Sequence, residues 1–458
     1  MGDNKIREIR QIRENPRFRR YPKYKESGVE WIGEIPRHWE VKRLKHVAEI
    51  LPSNVDKHIY PDEIQVRLCN YTDVYYNDYI TVDTVLERGS CKEREFTKFI
   101  LRKGNVIITK DSETPDDIGV PTFVKDDLDN VVCGYHLTMI RPYACLGEFI
   151  FRFIQSDRTR RYFEVNSNGI TRYGLGKSSI ENLLLPIPSD SEQAQIADFL
   201  DRKTKQIDAL IRIKERWIEL LQEQRTALIN QVVTKGLDPS VEMKPSGVEW
   251  IGEIPKDWIL TRLKYISNIP VTYGLNIESD KYTTEGIRLI RITDIGEGGN
   301  LEQKGVYLSE DCVPQEQMLN SYDLLLSRSG ATVGKSYLHL EAGKYASAGY
   351  LVRFNFDDYW TSKFIYYVTL SHFYRNWLEQ QIITSTIQNV NGEKYSNFQL
   401  PIPSYREHKQ IVSFLDHKTK QIAELISTEQ RKIELLKKYR QSLISEAVTG
   451  KIDVRNVG

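Results

Sequence analysis

The sequence predicts an α+β protein built twice: two domains with curved or barrel-like sheets, separated by a pair of long antiparallel coiled-coil helices and related by an internal pseudo-two-fold repeat. Three observations predict it. The ten residues Ser27–Pro36 recur without change at Ser246–Pro255, and the match continues through Trp39/Trp258 and Arg43-Leu44-Lys45/Arg262-Leu263-Lys264. Leu185-Pro186-Ile187-Pro188-Ser189 recurs as Leu400-Pro401-Ile402-Pro403-Ser404, and helical apolar spacing follows both. Between the repeated blocks lie two less similar segments with short apolar runs and Gly, Asn and Asp turns. The period, 219 residues at the first block and 215 at the second, far exceeds a solenoid repeat. Each unit is therefore a domain plus a connector.

Composition sets the frame. With 458 residues, 40% hydrophobic and 28% charged, the chain has ample core for two to four domains and is no disordered tail. A balance of 64 Lys+Arg against 63 Asp+Glu excludes a globally basic nucleic-acid binder, though not local patches. Five cysteines (Cys69, Cys91, Cys133, Cys145, Cys312) without close pairs argue against a zinc site and against a disulfide framework. Neither an apolar signal core nor a run of transmembrane length occurs, so the expectation is a cytoplasmic protein with no membrane partner.

In chain order, residues 1–25 form a basic arm with nine Lys/Arg against three acids, a net of +6, read as a solvated helix or tail as readily as a DNA or partner contact. Residues 26–184 form the first domain, with strand-like runs such as Asn105–Thr109 and short helices around 148–163. Residues 185–236 form the first spacer helix. Ser189 with Glu192 fits a capping box after a Pro-rich stop. Apolar residues then fall at Ile196, Leu200, Ile207, Ile211, Ile218, Leu221, Leu228 and Val232, close to a 3.5-residue period. Residues 237–399 hold a short link (237–246) and the second domain. Residues 400–450 repeat the helix, with Ser404 and Glu407 at its start, and 451–458 form a tail. Each helix is expected to run about 40–45 residues and to end at Gly236 or Gly450. A two-fold relation makes the helices antiparallel and brings the end of the second beside the start of the first domain, so the chain is nearly circular.

Two similar domains on a rigid spacer form a two-part ruler. The duplicated W-I-G-E-I-P-x-x-W element before each variable segment, and the L-P-I-P-S element with its heptad helix after it, resemble the specificity subunit of type I restriction-modification systems. The resemblance runs from about Tyr21 to Asp453, twice and in the same order. It implies that the variable segments are target-recognition domains, each reading one half of a bipartite, asymmetric site in double-stranded DNA. It also implies that the helices set the gap and dock two modification (methyltransferase) subunits, joined by restriction/translocase subunits. S-adenosylmethionine, ATP and Mg would then belong to the complex, with no cofactor in this chain. The alternative is a non-DNA coiled-coil scaffold whose twin domains bind proteins.

Within the first domain, Arg152–Lys177 carries six cations against two acids. Its polar loop makes Asn168, Thr171, Arg172, Tyr173 and Lys177 candidate DNA contacts. Aligning the L-P-I-P blocks sets Thr171–Gly174 opposite Thr386–Asn389, which adds Gln388, Asn389 and Asn391. Arg pairs bidentately with guanine, and Asn or Gln with adenine. The loops after Asn105–Thr109 and Leu324–Leu326 add Lys110 in one domain and Arg328, Ser329 and Lys335 in the other, cations and turn amides suited to phosphate. Gly334-Lys335-Ser336 brushes against a nucleotide P-loop, but Gly330 leaves one residue too few before Gly334. Without the family match these loops read as ordinary solvated turns. Trp31, Trp39, Trp250 and Trp258 read as anchors of each domain on the helix ends, and Ile213, Trp217, Leu220 and Leu425 as surplus apolar positions for partner contact. The chain lacks an N-P-P-Y-like methyltransferase element, a D…(D/E)-x-K nuclease cluster and helicase motor elements, so it is expected to be non-catalytic.

Overall fold

A computed structural model describes residues 18–296, 298–356, 358–382 and 389–455. Most of the basic arm, the end of the tail, and Thr386, Ile387 and Gln388 lie outside the described residues. The chain divides into two compact units, Met1–Lys214 with Arg431–Gly458, and Glu215–Gln430.

In the first unit a five-stranded sheet runs in the order Ala48–Pro52, Leu137–Pro142, Val106–Thr109, Pro121–Val124, Tyr79–Ile80. Its centre is Val106–Thr109, all four residues buried, a β-branched run that suits a strand covered on both faces. The helix Gly147–Ile154 covers it, with the Phe151 ring 6.0 Å from Phe123. A separate three-stranded sheet pairs Ile64–Cys69 antiparallel with Glu87–Cys91 and parallel with Val131–Cys133.

The second unit repeats this plan. Thr272–Tyr273, Leu351–Phe354, Leu324–Ser327 and Ser336–Leu338 form an antiparallel sheet. Ile287–Ile290 pairs antiparallel with Val306–Leu308 and parallel with Tyr345–Ser347. The helix pair Tyr359–Thr369 and His372–Gln381 stands where Gly147–Ile154 and Asp157–Asn166 stand in the first unit. The repeat thus survives as topology where the sequence has diverged. The fold is mixed helix and strand, but among the described residues no sheet closes on itself. Barrel-like closure fails because the large sheets end in short edge strands, Tyr79–Ile80 and Thr272–Tyr273, and the three-stranded sheets stand apart.

Two long helices span Asp190–Lys235 (46 residues) and Tyr405–Val448 (44 residues). Ser189 Oγ accepts from Glu192 N at 3.4 Å and Ser404 Oγ from Glu407 N at 3.3 Å, the cap bonds expected of S-x-x-E. Each helix stops at a glycine in the left-handed region, Gly236 (φ +72°) and Gly450 (φ +68°). A tryptophan stands against each glycine. Trp258 lies 3.3 Å from where a Cβ on Gly236 would stand, and Trp39 lies 3.0 Å from that of Gly450. In the second unit Trp258 joins one core with Ile229, Val232 and Val233 at the end of the first long helix and Ile411, Val412 and Leu415 at the start of the second. Its Nε1 donates to Glu407 Oε2 at 3.0 Å. In the first unit the tail returns to the chain start: Asp453 N donates to Arg19 O at 2.7 Å, and Arg455 lies 3.4 Å from Glu192.

Two histidines of the second unit, His339 and His408, are buried, and burial holds each well below its usual value of 6.5, at about 4. Both stay neutral in the folded protein at a pH where the unfolded chain would protonate them. Unfolding then takes up protons, so stability falls as pH drops from about 6.5 toward about 4. At pH 5 each histidine is expected to cost about 2 kcal/mol relative to pH 7. Urea unfolding of His408→Asn at both pH values should show about half the wild-type difference; an unaltered difference would remove His408 from this account.

Candidate nucleic-acid interface

The candidate loops, distant in sequence, meet at the same topological place in each unit. In the first, the chain leaves the central strand at Lys110, whose N–H donates to His136 O at 2.9 Å and whose carbonyl accepts from Leu175 N at 2.7 Å. Asp111–Ser112 then pairs antiparallel with Tyr173–Gly174. In the second, Arg328 N donates to Tyr350 O at 3.1 Å, Arg328 O accepts from Val390 N at 2.8 Å, and Ser329 bridges Asn389. Lys110 and Arg328 are therefore equivalent, as are Gly174 and Asn389, the register that aligning the L-P-I-P blocks gives.

Around this frame the side chains differ. In the first unit Asn168 and Gly174 exchange backbone bonds of 3.0 and 2.8 Å, closing an exposed loop that presents Ile170, Thr171 and Arg172. Gly169 (φ +145°) has no room for a Cβ beside the Arg172 carbonyl. Arg172 Nη2 lies 3.3 Å from His136 Nδ1, which is 2.6 Å from Asp111 Oδ2. His136 itself adopts φ +69°, a costly conformation for a residue with a Cβ. The Lys110 ammonium lies 4.6 Å over the Tyr135 ring and donates to Ser53 O at 2.8 Å, leaving two of its three donors. Tyr71 stacks on Tyr75, whose hydroxyl the Asp117 carboxylate pushes up to about 12. A cleft of about 430 Å³ opens here, lined by Asn70, Tyr71, Tyr135 and His136 among others. Lys177 is exposed and lies 3.4 Å from Glu181.

In the second unit the Arg328 guanidinium lies 4.9 Å over Tyr273 and 5.7 Å over Tyr350, which fix its plane. Lys335 Nζ donates to Ile295 O. Asn389 is exposed, whereas Asn391 caps the helix Gly392–Ser396, its Oδ1 accepting from Lys394 N at 2.9 Å. Gln388 lies outside the described residues.

The structure also sorts the basic stretch. Arg152 is no surface cation: it is 2% exposed and bonds Asp201 at 2.9 Å, with Thr204 and Tyr79. The sequence reading missed His136, Tyr71, Tyr135, Tyr273 and Tyr350. Their signal was position, since His136 and Tyr350 each directly precede a core strand, Leu137–Pro142 and Leu351–Phe354. On the long helices Ile213, Trp217, Leu220 and Leu425 are all exposed, as are Leu210 and Leu435. Among the described residues no group of His, Cys, Asp and Glu could hold a metal ion, and no helix is long and apolar enough to cross a membrane.

A duplicated reader plan of this kind defines a class of DNA-specificity proteins. The model of the type I restriction modification DNA specificity domain matches residues 36–219 and again 255–435, and the chain belongs to that family. DNA sequence specificity, rather than catalysis, is the role of these subunits. The chain is 26% identical over 454 residues to the type I restriction enzyme MjaVIII specificity subunit of Methanocaldococcus jannaschii, covering 95% of this chain and 98% of that one. To the EcoKI specificity subunit of Escherichia coli it is 26% identical over 213 residues, 44% of each chain. Among solved structures, a chain from a study of assembly and conformational transition in a type I R-M system superposes with a TM-score of 0.67 at 17% identity, covering 93% of this chain and 99% of that one. The HsdS subunit from Thermoanaerobacter tengcongensis does so with 0.51 at 19%, covering 93% and 98%.

The cap at Asn391 separates a structural role from a reading role. Asn391→Ala is expected to lower stability by about 1 kcal/mol, and Asn391→Asp, which also caps, to leave it nearly unchanged. Equal losses in denaturant unfolding of the two variants would exclude capping.

Proposed function

We propose that each unit reads one half of a split, asymmetric double-stranded DNA target, and that the two long helices pair antiparallel to fix the gap. The observation that carries this reading is the convergence of two loops at one place in both units, held by the same backbone bonds but furnished with different side chains. Such a frame suits two half-sites of different sequence on one spacer. Arg172 and Arg328 are the candidate guanine readers, and Asn168, Thr171, Tyr173, Ser329, Gln388 and Asn389 are further base or backbone contacts. Lys110, Lys177 and Lys335 are candidate phosphate contacts, and Asn391 holds the loop that carries Asn389.

Contacts within each unit favour the antiparallel pairing. Arg440 Nε lies 3.0 Å from Asp208 in the first, and Ile229 shares a core with Ile411 in the second. Leu210, Ile213, Trp217 and Leu220 recur at steps of three and four, one helix face, and exposed Trp217 is 56% accessible. That face, with Leu425, is our candidate dock for two modification subunits, with restriction/translocase subunits completing the complex. S-adenosylmethionine, ATP and Mg would serve those partners, in the cytoplasm. The domain limits 26–184 and 237–399 and the spacers 185–236 and 400–450 are the corresponding functional division.

In the complex with the methyltransferase, DNA affinity is expected to fall steeply with salt, because phosphate contacts release counterions. Arg172→Ala should relax methylation at one half-site only and Arg328→Ala at the other, each costing about 1–3 kcal/mol. Unchanged specificity in both, measured on targets altered one half-site at a time, would reject these assignments. Inserting one heptad between Ile207 and Leu228 should abolish methylation at the native gap; undiminished methylation there would contradict a rigid spacer.

A further inference from the structure

One partly buried cation cluster belongs neither to the loops nor to the exposed helix face. It appears on comparing the same helix position in the two copies. At the repeat offset of 215 residues, Arg225 of the first long helix corresponds to Arg440 of the second, and Ala423 corresponds to Asp208. Arg440 stands between two carboxylates: its Nη2 lies 2.7 Å from Asp78 Oδ2 and its Nε 3.0 Å from Asp208 Oδ1. In the second unit both partners are missing. Alanine stands at 423, and the backbone facing Arg225 is Gly298-Gly299, with Arg225 Nη1 4.0 Å from where a Cβ on Gly298 would be. Both glycines are left-handed, φ +94° and +77°, and a side chain on Gly299 would strike the Tyr366 hydroxyl.

Arg225 finds no substitute. Its buried Nε has no hydrogen-bond partner among the described residues. The nearby carboxylate, Asp416, already accepts from Tyr359 at 2.7 Å and Tyr367 at 2.6 Å and lies 3.7 Å from Lys363. Lys363 is itself largely buried, and desolvation holds its amine below the usual lysine value despite Asp416. A cavity of about 610 Å³ opens between these groups, with Lys420 at its rim and Tyr337, Tyr366 and Tyr367 in its wall. Arg225, Lys363 and Lys420 meet Asp416 and Glu341 in this cavity, three cations against two carboxylates, so one positive charge is left over. An anion entering there would take the place of the two carboxylates that Arg440 has.

We propose that this cavity in the second unit is a binding site for a phosphate-bearing small molecule, with Arg225 and Lys363 on the phosphate and the tyrosine wall beside whatever the phosphate carries. The inference is independent of the DNA-reading loops. A planar guanidinium donates two parallel bonds to a phosphate, and a volume of this size admits a nucleotide as well as inorganic phosphate.

Calorimetric titration of the full chain with inorganic phosphate and with AMP, in chloride buffer, tests it. Saturable binding is expected, lost by at least roughly tenfold in Arg225→Gln. Ala423→Asp gives Arg225 the carboxylate that Arg440 has, and should abolish binding while leaving the unfolding temperature unchanged or higher. AMP binding more tightly than phosphate would identify the source as a nucleotide; equal affinity would identify free phosphate. No saturable heat with either at millimolar concentration, or binding by Ala423→Asp equal to wild type, would overturn the proposal. Displacement of bound phosphate by duplex DNA without a target would overturn it too, assigning the cluster to DNA backbone.

Discussion

The contact on which the rest of the chain depends is the closure of each long helix on a tryptophan. A helix that ends at Gly236 or Gly450 turns in the left-handed region, and a side chain there would meet Glu407 and then Trp258 at one, Pro36 and then Trp39 at the other. Each tryptophan belongs to the repeated W-I-G-E-I-P-x-x-W element that opens a domain. In the second unit the same ring also reaches the start of the other helix through Glu407, whose carboxyl burial holds above its usual value. One buried aromatic thus ties a domain entrance, a helix end and a helix start. This accounts for Trp39 and Trp258 recurring at the same place in both copies while the domains behind them differ. A change there disturbs three elements at once, whereas a change in a loop disturbs one.

The first copy makes the same joint with different polar chemistry. Trp39 Nε1 has no partner among the described residues, and Glu192 is held instead by His38 at 2.9 Å and by Arg455 from the tail. The apolar part of the joint is therefore the shared constraint, and the polar part is free to be met from either side. Burial of the indole supplies most of its stabilisation, about 25 cal/mol per Å² of apolar surface removed from water. A hydrogen bond adds about 1 kcal/mol net.

Legibility followed this division. The long helices were readable because caps, heptads and terminal glycines all act locally, and the repeat gave each signal twice. The shared sheet topology was not readable, since Val106–Thr109 and Leu324–Ser327 announce strands but not their neighbours, which lie 10 to 34 residues away in sequence. A curved or barrel-like sheet was expected from short β-rich runs punctuated by turns, and among the described residues no sheet closes on itself. At the candidate interface, Arg172 and Arg328 stood out as cations in polar loops. The residues that position them, His136, Tyr273 and Tyr350, did not, because their relation to the arginines exists only after the strands pair. Arg152 shows the opposite failure: counted as surface charge, it is buried against Asp201. Net charge over a stretch cannot tell a solvated cation from a paired one.

The way the loops are held bears on how two copies of one fold come to differ. Lys110 and Arg328 are each fixed by one backbone donor bond and one backbone acceptor bond, at 2.9 and 2.7 Å in one unit and 3.1 and 2.8 Å in the other. Backbone bonds do not depend on which side chain stands at the position. The side chains of these loops therefore sit on a frame that their own replacement leaves intact, and they can change without refolding the domain. The helix-side cluster obeys the reverse rule. Arg440 is held by side-chain carboxylates, so the change from Asp208 to Ala423 between copies removes a partner. A duplicated chain can vary its loops at little cost in stability, but a single substitution among partly buried charges takes a partner from a group that the fold keeps in place.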